Sequence, residues 1–176
     1  MPGEAGGHVR LIDLDGRRLI LRAPKPGEIG WVVHRHGALY AHEYGWDWTF
    51  EALVAQVASE FILKFKPTRD RCWIAELDGR VAGSAFVVEK SAEIAKLRLV
   101  YVEPEARGLG ISRHLLEAAL AFARDGGYQT LRLWTNRNLL AARGLYASAG
   151  FKLTLEEPYR GFGHDLVGET WELALR

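Results

Sequence analysis

The stretch Leu97–Ala123, LRLVYVEPEARGLGISRHLLEAALAFA, decides the fold. It opens as a strand, stops at Pro104, crosses a charged link with two glycines, and continues as an amphipathic helix. Within the strand the apolar alternation runs Leu97, Leu99, then slips by one residue to Val100, Val102. A one-residue slip is what a β-bulge produces, and a bulge frees backbone groups from the ladder and bends the strand away from its neighbour. Behind the glycines, Ile111, Leu115, Ala119, Phe122 and Ala123 share one helix face. The first turn of such a helix carries unpaired N–H groups and the positive end of the dipole. Gly108 and Gly110 remove side chains where another group must come close to the backbone, and Arg107 and Arg113 flank the join.

These features make an anion site suited to a phosphate or pyrophosphate. A turn that only connects strand to helix has the same glycines. Two familiar phosphate motifs are excluded. No Lys-Ser/Thr pair follows the glycines, as a P-loop needs, and Arg113 stands where a dinucleotide fingerprint needs its third glycine. The bulge would seat an extended amide-bearing arm and the turn its phosphates, which is the shape of pantetheine pyrophosphate.

Outward from this stretch, Asp-Gly at residues 78–79 predicts a hairpin within RCWIAELDGRVAGSAFVVEK, Arg71–Lys90. A strand over Ile94–Val102 pairs next to it. Arg18–Arg22 reads as a strand, Glu28–Gly45 as a helix followed by a polar, aromatic loop, and Asp47 as the cap of a helix carrying Phe50, Leu53, Val54, Val57, Phe61 and Phe65 and ended by Pro67. Beyond Gly126 and Gly127, YQTLRLWT is a strand, NLLAARGLYASAG a helix, FKLTLEE a strand, PYRGFGHDLVG a loop and ETWELAL a last strand. The expected fold is one α/β domain over residues 18–176: a mixed, mostly antiparallel central sheet with a central β-α-β crossover and helices on both faces. Residues 1–17 read as a leader without an apolar signal-peptide core.

Of the 176 residues, 48% are hydrophobic and 26% charged, and the net charge of +1 supplies no global basic field for nucleic acid. No apolar run approaches the roughly 20 residues that span a bilayer. The lone Cys72 excludes an internal disulfide framework and fits a reducing cytosol, so a cytoplasmic location is expected. In its strand-like run Cys72 reads as a buried core residue. His34 and His36 lie two apart, on different faces of a helix, which argues against a metal site.

LVYVEPEARGLGISRHLL and ARGLYASAGF together resemble the GCN5-related N-acetyltransferase (GNAT) superfamily. Arg107, Gly110 and Ser112 fall on its coenzyme A signature, Gln/Arg-x-x-Gly-x-Gly/Ala, with Ser in the last place. Leu145, Tyr146, Gly150 and Phe151 match its Leu-Tyr-x-x-x-Gly-Phe signature in full. IGWVVHRHGALYAHEYGWD and FGHDLVGETWEL look like the acetyltransferase domains found C-terminal to MarR-type regulators, although no winged-helix segment is present.

The resemblance implies transfer of acetyl from acetyl-CoA to a primary amine by direct attack in a ternary complex, without a metal. It assigns the backbone of Val100, Tyr101 and Val102 to pantetheine. It assigns the amides of Arg107, Gly108, Leu109, Gly110, Ile111, Ser112 and Arg113 to the pyrophosphate, with Asn136 a further cofactor contact or a helix cap. It makes Tyr146 the proton donor to the sulfur; a core aromatic packed with Leu139, Ala142 and Ala149 is the other reading. Relatives place a glutamate on the bulged strand, but residues 94–102 carry no carboxylate. The base candidates are therefore Glu43, His42, His164 and Asp165, each also readable as a solvated loop residue. Trp31, Tyr40, Tyr44, Trp46 and Trp48 suggest a partly aromatic pocket for a small-molecule or peptide amine. A homodimer and a functional link to a MarR-type regulator are the protein partners expected. The alternatives are a non-catalytic acyl-CoA sensor and a nucleotide- or phosphate-binding regulatory module.

Overall fold

In a computed structural model, which describes residues 9–176, turn chemistry sets the strand order. β1 (Arg10–Leu14) and β2 (Arg17–Arg22) form a hairpin, as do β3 (Arg71–Leu77) and β4 (Arg80–Glu89). Their turns, Asp15-Gly16 and Asp78-Gly79, have positive φ at both residues, the conformation whose twist matches the flanking strands. Part of the expected leader is therefore sheet, and its first eight residues lie outside the described region. Between the two hairpins run α1 (Glu28–Tyr44) and α2 (Trp48–Leu63), and the Asp47 side chain caps α2 by accepting from the Thr49 N–H at 3.0 Å.

The chain continues through β5 (Ile94–Val102), a short 3-10 turn (Pro104–Ala106), α3 (Ile111–Asp125), β6 (Thr130–Asn136), α4 (Leu140–Ser148), β7 (Lys152–Gly161) and β8 (His164–Ala174). The eight strands form one sheet in the order β1-β2-β3-β4-β5-β6-β8-β7. Only β5 and β6 pair in parallel, through the α3 crossover. The sequence put a loop over residues 158–168. The structure instead extends β7 to Gly161 and starts β8 at His164, with a tight Phe162-Gly163 turn between them.

Helices cover both faces. α3 and α4 bury Leu115, Leu116, Ala119 and Tyr146 against Leu97, Leu131, Leu133 and Trp171. α1 and α2 bury Val32 and Phe61 against Cys72, Ile74 and Phe86. Cys72 is a core residue there, and burial pushes its thiol pKa well above the ordinary value.

The slip read in the sequence is a bulge on β5. Ser84 faces Tyr101 while Phe86 faces Arg98, so β5 holds one extra residue against β4, and Leu99 takes a positive φ of 51°. The Ser84 hydroxyl donates to the Leu99 carbonyl at 2.9 Å and holds the kink. Gly83 admits it: a Cβ there would stand 2.5 Å from the Tyr101 carbonyl oxygen. Gly83→Ala is accordingly expected to cost about 2 kcal/mol by forcing β4 from β5. Urea unfolding measures it, and an unchanged midpoint would show the bulge to be tolerant of the added methyl.

Candidate active site

The bulge opens the sheet. β5 pairs with β6 only over Ile94–Leu97, facing Thr130–Leu133. Past that point β4 carries β5 one way and β8 carries β6 the other, as far as Asn136, and no ladder joins them. The inner edge of β5 beyond Leu97 is left for another extended chain. At its mouth stands the start of α3. Gly110, at φ 81°, is its N-cap and supplies no side chain; His114 N–H is the first to bond back, to the Gly110 carbonyl at 3.1 Å. The N–H groups of Ile111, Ser112 and Arg113 thus have no partner within the helix. A Cβ at Gly108 or Gly110 would meet nothing within 4 Å, so this cradle is open.

Two cavities flank the opening. One, of about 730 Å³, lies between the end of β5, the start of α3 and α4. Val100, Tyr101, Val102, Arg107, Gly108, Gly110, Ile111, Ser112 and Arg113, among the residues the sequence reading assigned to the cosubstrate, line it. Leu109 does not; its side chain packs on the core. The other cavity, of about 690 Å³, runs beneath α1 and α2 across the exposed face of β5, β6 and β8. Asn136 belongs to this second cavity, away from the phosphate cradle, and its side-chain oxygen accepts from the Tyr159 hydroxyl at 2.6 Å. It caps no helix.

Tyr146 and Tyr40 line both cavities and so stand where they meet. Tyr146 is buried on α4 and edges Phe151, and burial pushes its hydroxyl pKa up to about 12. Tyr40 is raised further, first by burial and then by Tyr146 and its other acidic neighbours. Both phenols are protonated hydroxyls at any ordinary pH.

The base candidates lie elsewhere than a loop reading expects. Glu43 sits in the last turn of α1, which runs on to Tyr44, and its carboxylate pairs with Arg107 at 2.8 Å. It lines the phosphate-side cavity, and it takes up the charge that Arg107 was expected to offer. His164 opens β8 and its Nε2 bonds the Gly45 carbonyl at 2.9 Å; it lines neither cavity. Asp165 is exposed beside Arg160, and His42 is exposed on α1. Of the aromatics, Tyr40 and Phe50 form one wall of the second cavity, Trp46 packs behind them, and Trp31 meets Tyr101 edge-on. Trp48 points to solvent at 85% exposure, because it is the first residue of α2 and faces away from the sheet.

Sequence reading weighed His36 only as a metal ligand and missed its place in the second cavity, along with a row of cations. His36 is buried at 3% exposure, lines the second cavity, and shares its Nδ1 hydrogen with the Val32 carbonyl at 2.8 Å. A carbonyl only accepts, so Nε2 keeps the lone pair. Burial pushes the ring pKa down to about 4. The unfolded chain therefore binds this proton first as pH falls, and stability present above about pH 6.5 is lost towards pH 4. The expected loss is about 3 kcal/mol. Denaturant titrations of wild type and His36→Gln across that window check it; equal acid slopes would refute it. The cations, Lys96, Arg98 and Arg132, alternate with leucines in KLRL and LRL, and that alternation was the available signal. No cluster of metal-ligating side chains occurs among the described residues, and no described helix is long and apolar enough to cross a membrane.

The model of the Acetyltransferase (GNAT) family matches residues 30–151, which hold the bulged strand, the cradle and α4. The chain belongs to that family. Among GNAT relatives, N-acetyltransferase 8B of Homo sapiens is 38% identical over 87 residues, 47% of this chain and 38% of that protein. Mycothiol acetyltransferase of Thermomonospora curvata is 32% identical over 133 residues, 74% of this chain and 43% of that protein. The chain thus spans less than half the length of either. An uncharacterized N-acetyltransferase of Schizosaccharomyces pombe is 30% identical over 122 residues, with 73% of it covered. Among solved structures, yncA of Salmonella typhimurium, with its cofactor acetyl-CoA, superposes with a TM-score of 0.69 at 20% identity, covering 90% of this chain and 94% of that one. At that identity the likeness speaks for the fold, and the GNAT fold is what the eight strands and four helices form.

Proposed function

We propose that this chain transfers the acetyl group of acetyl-CoA to a primary amine while both are bound. The observation that carries this reading is the meeting of two cavities at Tyr146, one with a phosphate cradle and one without. The residues present fit the cosubstrate: an uncapped helix start for the pyrophosphate and an unpaired strand edge for the pantetheine amides. When bound, acetyl-CoA supplies an activated thioester. The backbone of Val100 and Val102 holds the arm, with the Val102 N–H towards the thioester oxygen. Tyr146, which burial keeps protonated, hydrogen-bonds the departing sulfur and gives it a proton as the C–S bond breaks, and the proton the amine releases on forming the amide restores the phenol.

The acceptor needs its nitrogen lone pair. The cations of the second cavity disfavour the ammonium form and so ease loss of its proton. His36, neutral, accepts a hydrogen bond from the amine. Glu43, held by Arg107 on the cosubstrate side, serves as a base only through water, whereas His164, outside both cavities with its Nε2 on the Gly45 carbonyl, is poorly placed to act as one. The likeness of Ile29–Asp47 and Phe162–Leu173 to domains accompanying MarR-type regulators supports a regulatory setting for the same chemistry. Thiol release from acetyl-CoA with a panel of primary amines tests the reading. Release dependent on the amine supports it; tight acetyl-CoA binding with no release on any amine would leave the acyl-CoA sensor.

A further inference from the structure

The charged lining of the second cavity is mostly cationic. Lys90, Lys96, Arg98 and Arg132 line it against a single carboxylate, Glu172, which Arg132 already binds at 2.6 Å. Arg132 stands directly across the β5–β6 ladder from Lys96, and Lys96 and Arg98, two residues apart on β5, share the same face. The nearby acids are engaged or distant. Glu89 is taken by Lys66 and Arg69. Glu60 of α2 faces Arg98 without forming an ion pair with it. Lys96 and Arg98 are both half-buried and form no ion pair among the described residues. Burial lowers the pKa of Lys96, and Arg98, Lys90 and Arg132 lower it further. Partly buried cations without counter-ions are costly to hold and are relieved by a ligand that brings the missing charge.

We propose that the amine acceptor carries an oxyanion, a carboxylate or phosphate, which Lys96 and Arg98 bind while its amine reaches the junction at Tyr146. This rests on the acetyl-transfer reading and narrows its substrate class. Val100, which lines both cavities, is two residues from Arg98 and four from Lys96. At the rise of a strand the two cations stand at most about 7–13 Å along β5 from Val100, and the bulge at Leu99 shortens that path. Tyr40, Phe50 and Leu53 give the same cavity an apolar and aromatic wall, which suits an apolar or aromatic connecting part in the acceptor.

Three probes of one shape test it: para-(aminomethyl)benzoate, para-(aminomethyl)phenylphosphonate and the neutral para-(aminomethyl)benzamide. Turnover is read as thiol release, and binding to the coenzyme A-loaded protein by calorimetry. One or both anionic amines are expected to exceed the amide about tenfold in kcat/KM and affinity. The arm that wins tells carboxylate from phosphate. In Arg98→Gln and in Lys96→Gln the ratio falls towards one while coenzyme A binding holds, which shows that each variant is folded. Equal affinities for all three amines, or a preference that survives both substitutions, overturns the proposal. Tighter binding of the anionic amines through Arg98 with no thiol release upholds the subsite and sinks acetyl transfer instead.

Discussion

On the proposed role of Tyr146 as proton donor, replacing it by phenylalanine is expected to lower kcat about a hundredfold, the scale of a lost general acid. The substitution removes one oxygen and keeps the ring packed beside Phe151, so the fold and the cavity at the start of α3 are expected to persist. The hydroxyl is singled out by position: Tyr146 lines the cavity holding the phosphate cradle and the cavity holding the cations, and few other side chains do both. Its pKa of about 12 adds a second expectation. A donor that stays protonated gives wild-type kcat no alkaline fall below about pH 11. Steady-state kinetics from neutral to pH 10 check both points. A variant retaining a third of the activity, or a wild-type rate that drops through pH 9, would remove Tyr146 from the proton transfer.

Removing the carboxylate at Glu169 is expected to cost about 3 kcal/mol, at the low end for breaking a buried ion pair. Glu169 is fully buried on β8. One oxygen accepts from Arg143 Nε at 2.9 Å and from Trp171 Nε1 at 3.0 Å; the other has no hydrogen bond, with Arg137 Nε at 3.8 Å. The arginines keep contact with water, which moderates the loss. Arg143 precedes Tyr146 by one turn of α4, so this carboxylate ties the tyrosine's helix to the sheet. Glu169→Ala is therefore expected to lower the unfolding midpoint and kcat together, and Glu169→Gln to do less of both. A double-mutant cycle with Arg143→Ala measures the pair. Strict additivity would mean that the contact does not hold α4.

Which parts were legible from sequence follows from how local their causes are. The Asp78-Gly79 hairpin, the bulge at Leu99, the uncapped start of α3 and the Leu145-Tyr146 match each depend on a few neighbouring residues, and each is found where the sequence put it. The β1–β2 hairpin was equally local and was missed: Leu14-Asp15-Gly16-Arg17 repeats Leu77-Asp78-Gly79-Arg80 letter for letter. The β7–β8 hairpin was harder. β7 is an edge strand, mostly exposed, and carries Pro158, which an edge tolerates and a central strand does not. Its first half, FKLTLEE, alternates and was read as a strand; from Pro158 to Gly161 no apolar alternation continues to be read.

By itself, then, the sequence determined the turns, the kink, the helix tip and the two family signatures, since φ preferences and helix ends are set by residues adjacent along the chain. Only the tertiary structure decided that Glu43 closes on Arg107, that His36 and Arg98 face one void, and that Tyr146 stands between two cavities. Those pairings join residues tens of positions apart, and they are fixed by cross-strand register and helix docking, which no local pattern encodes.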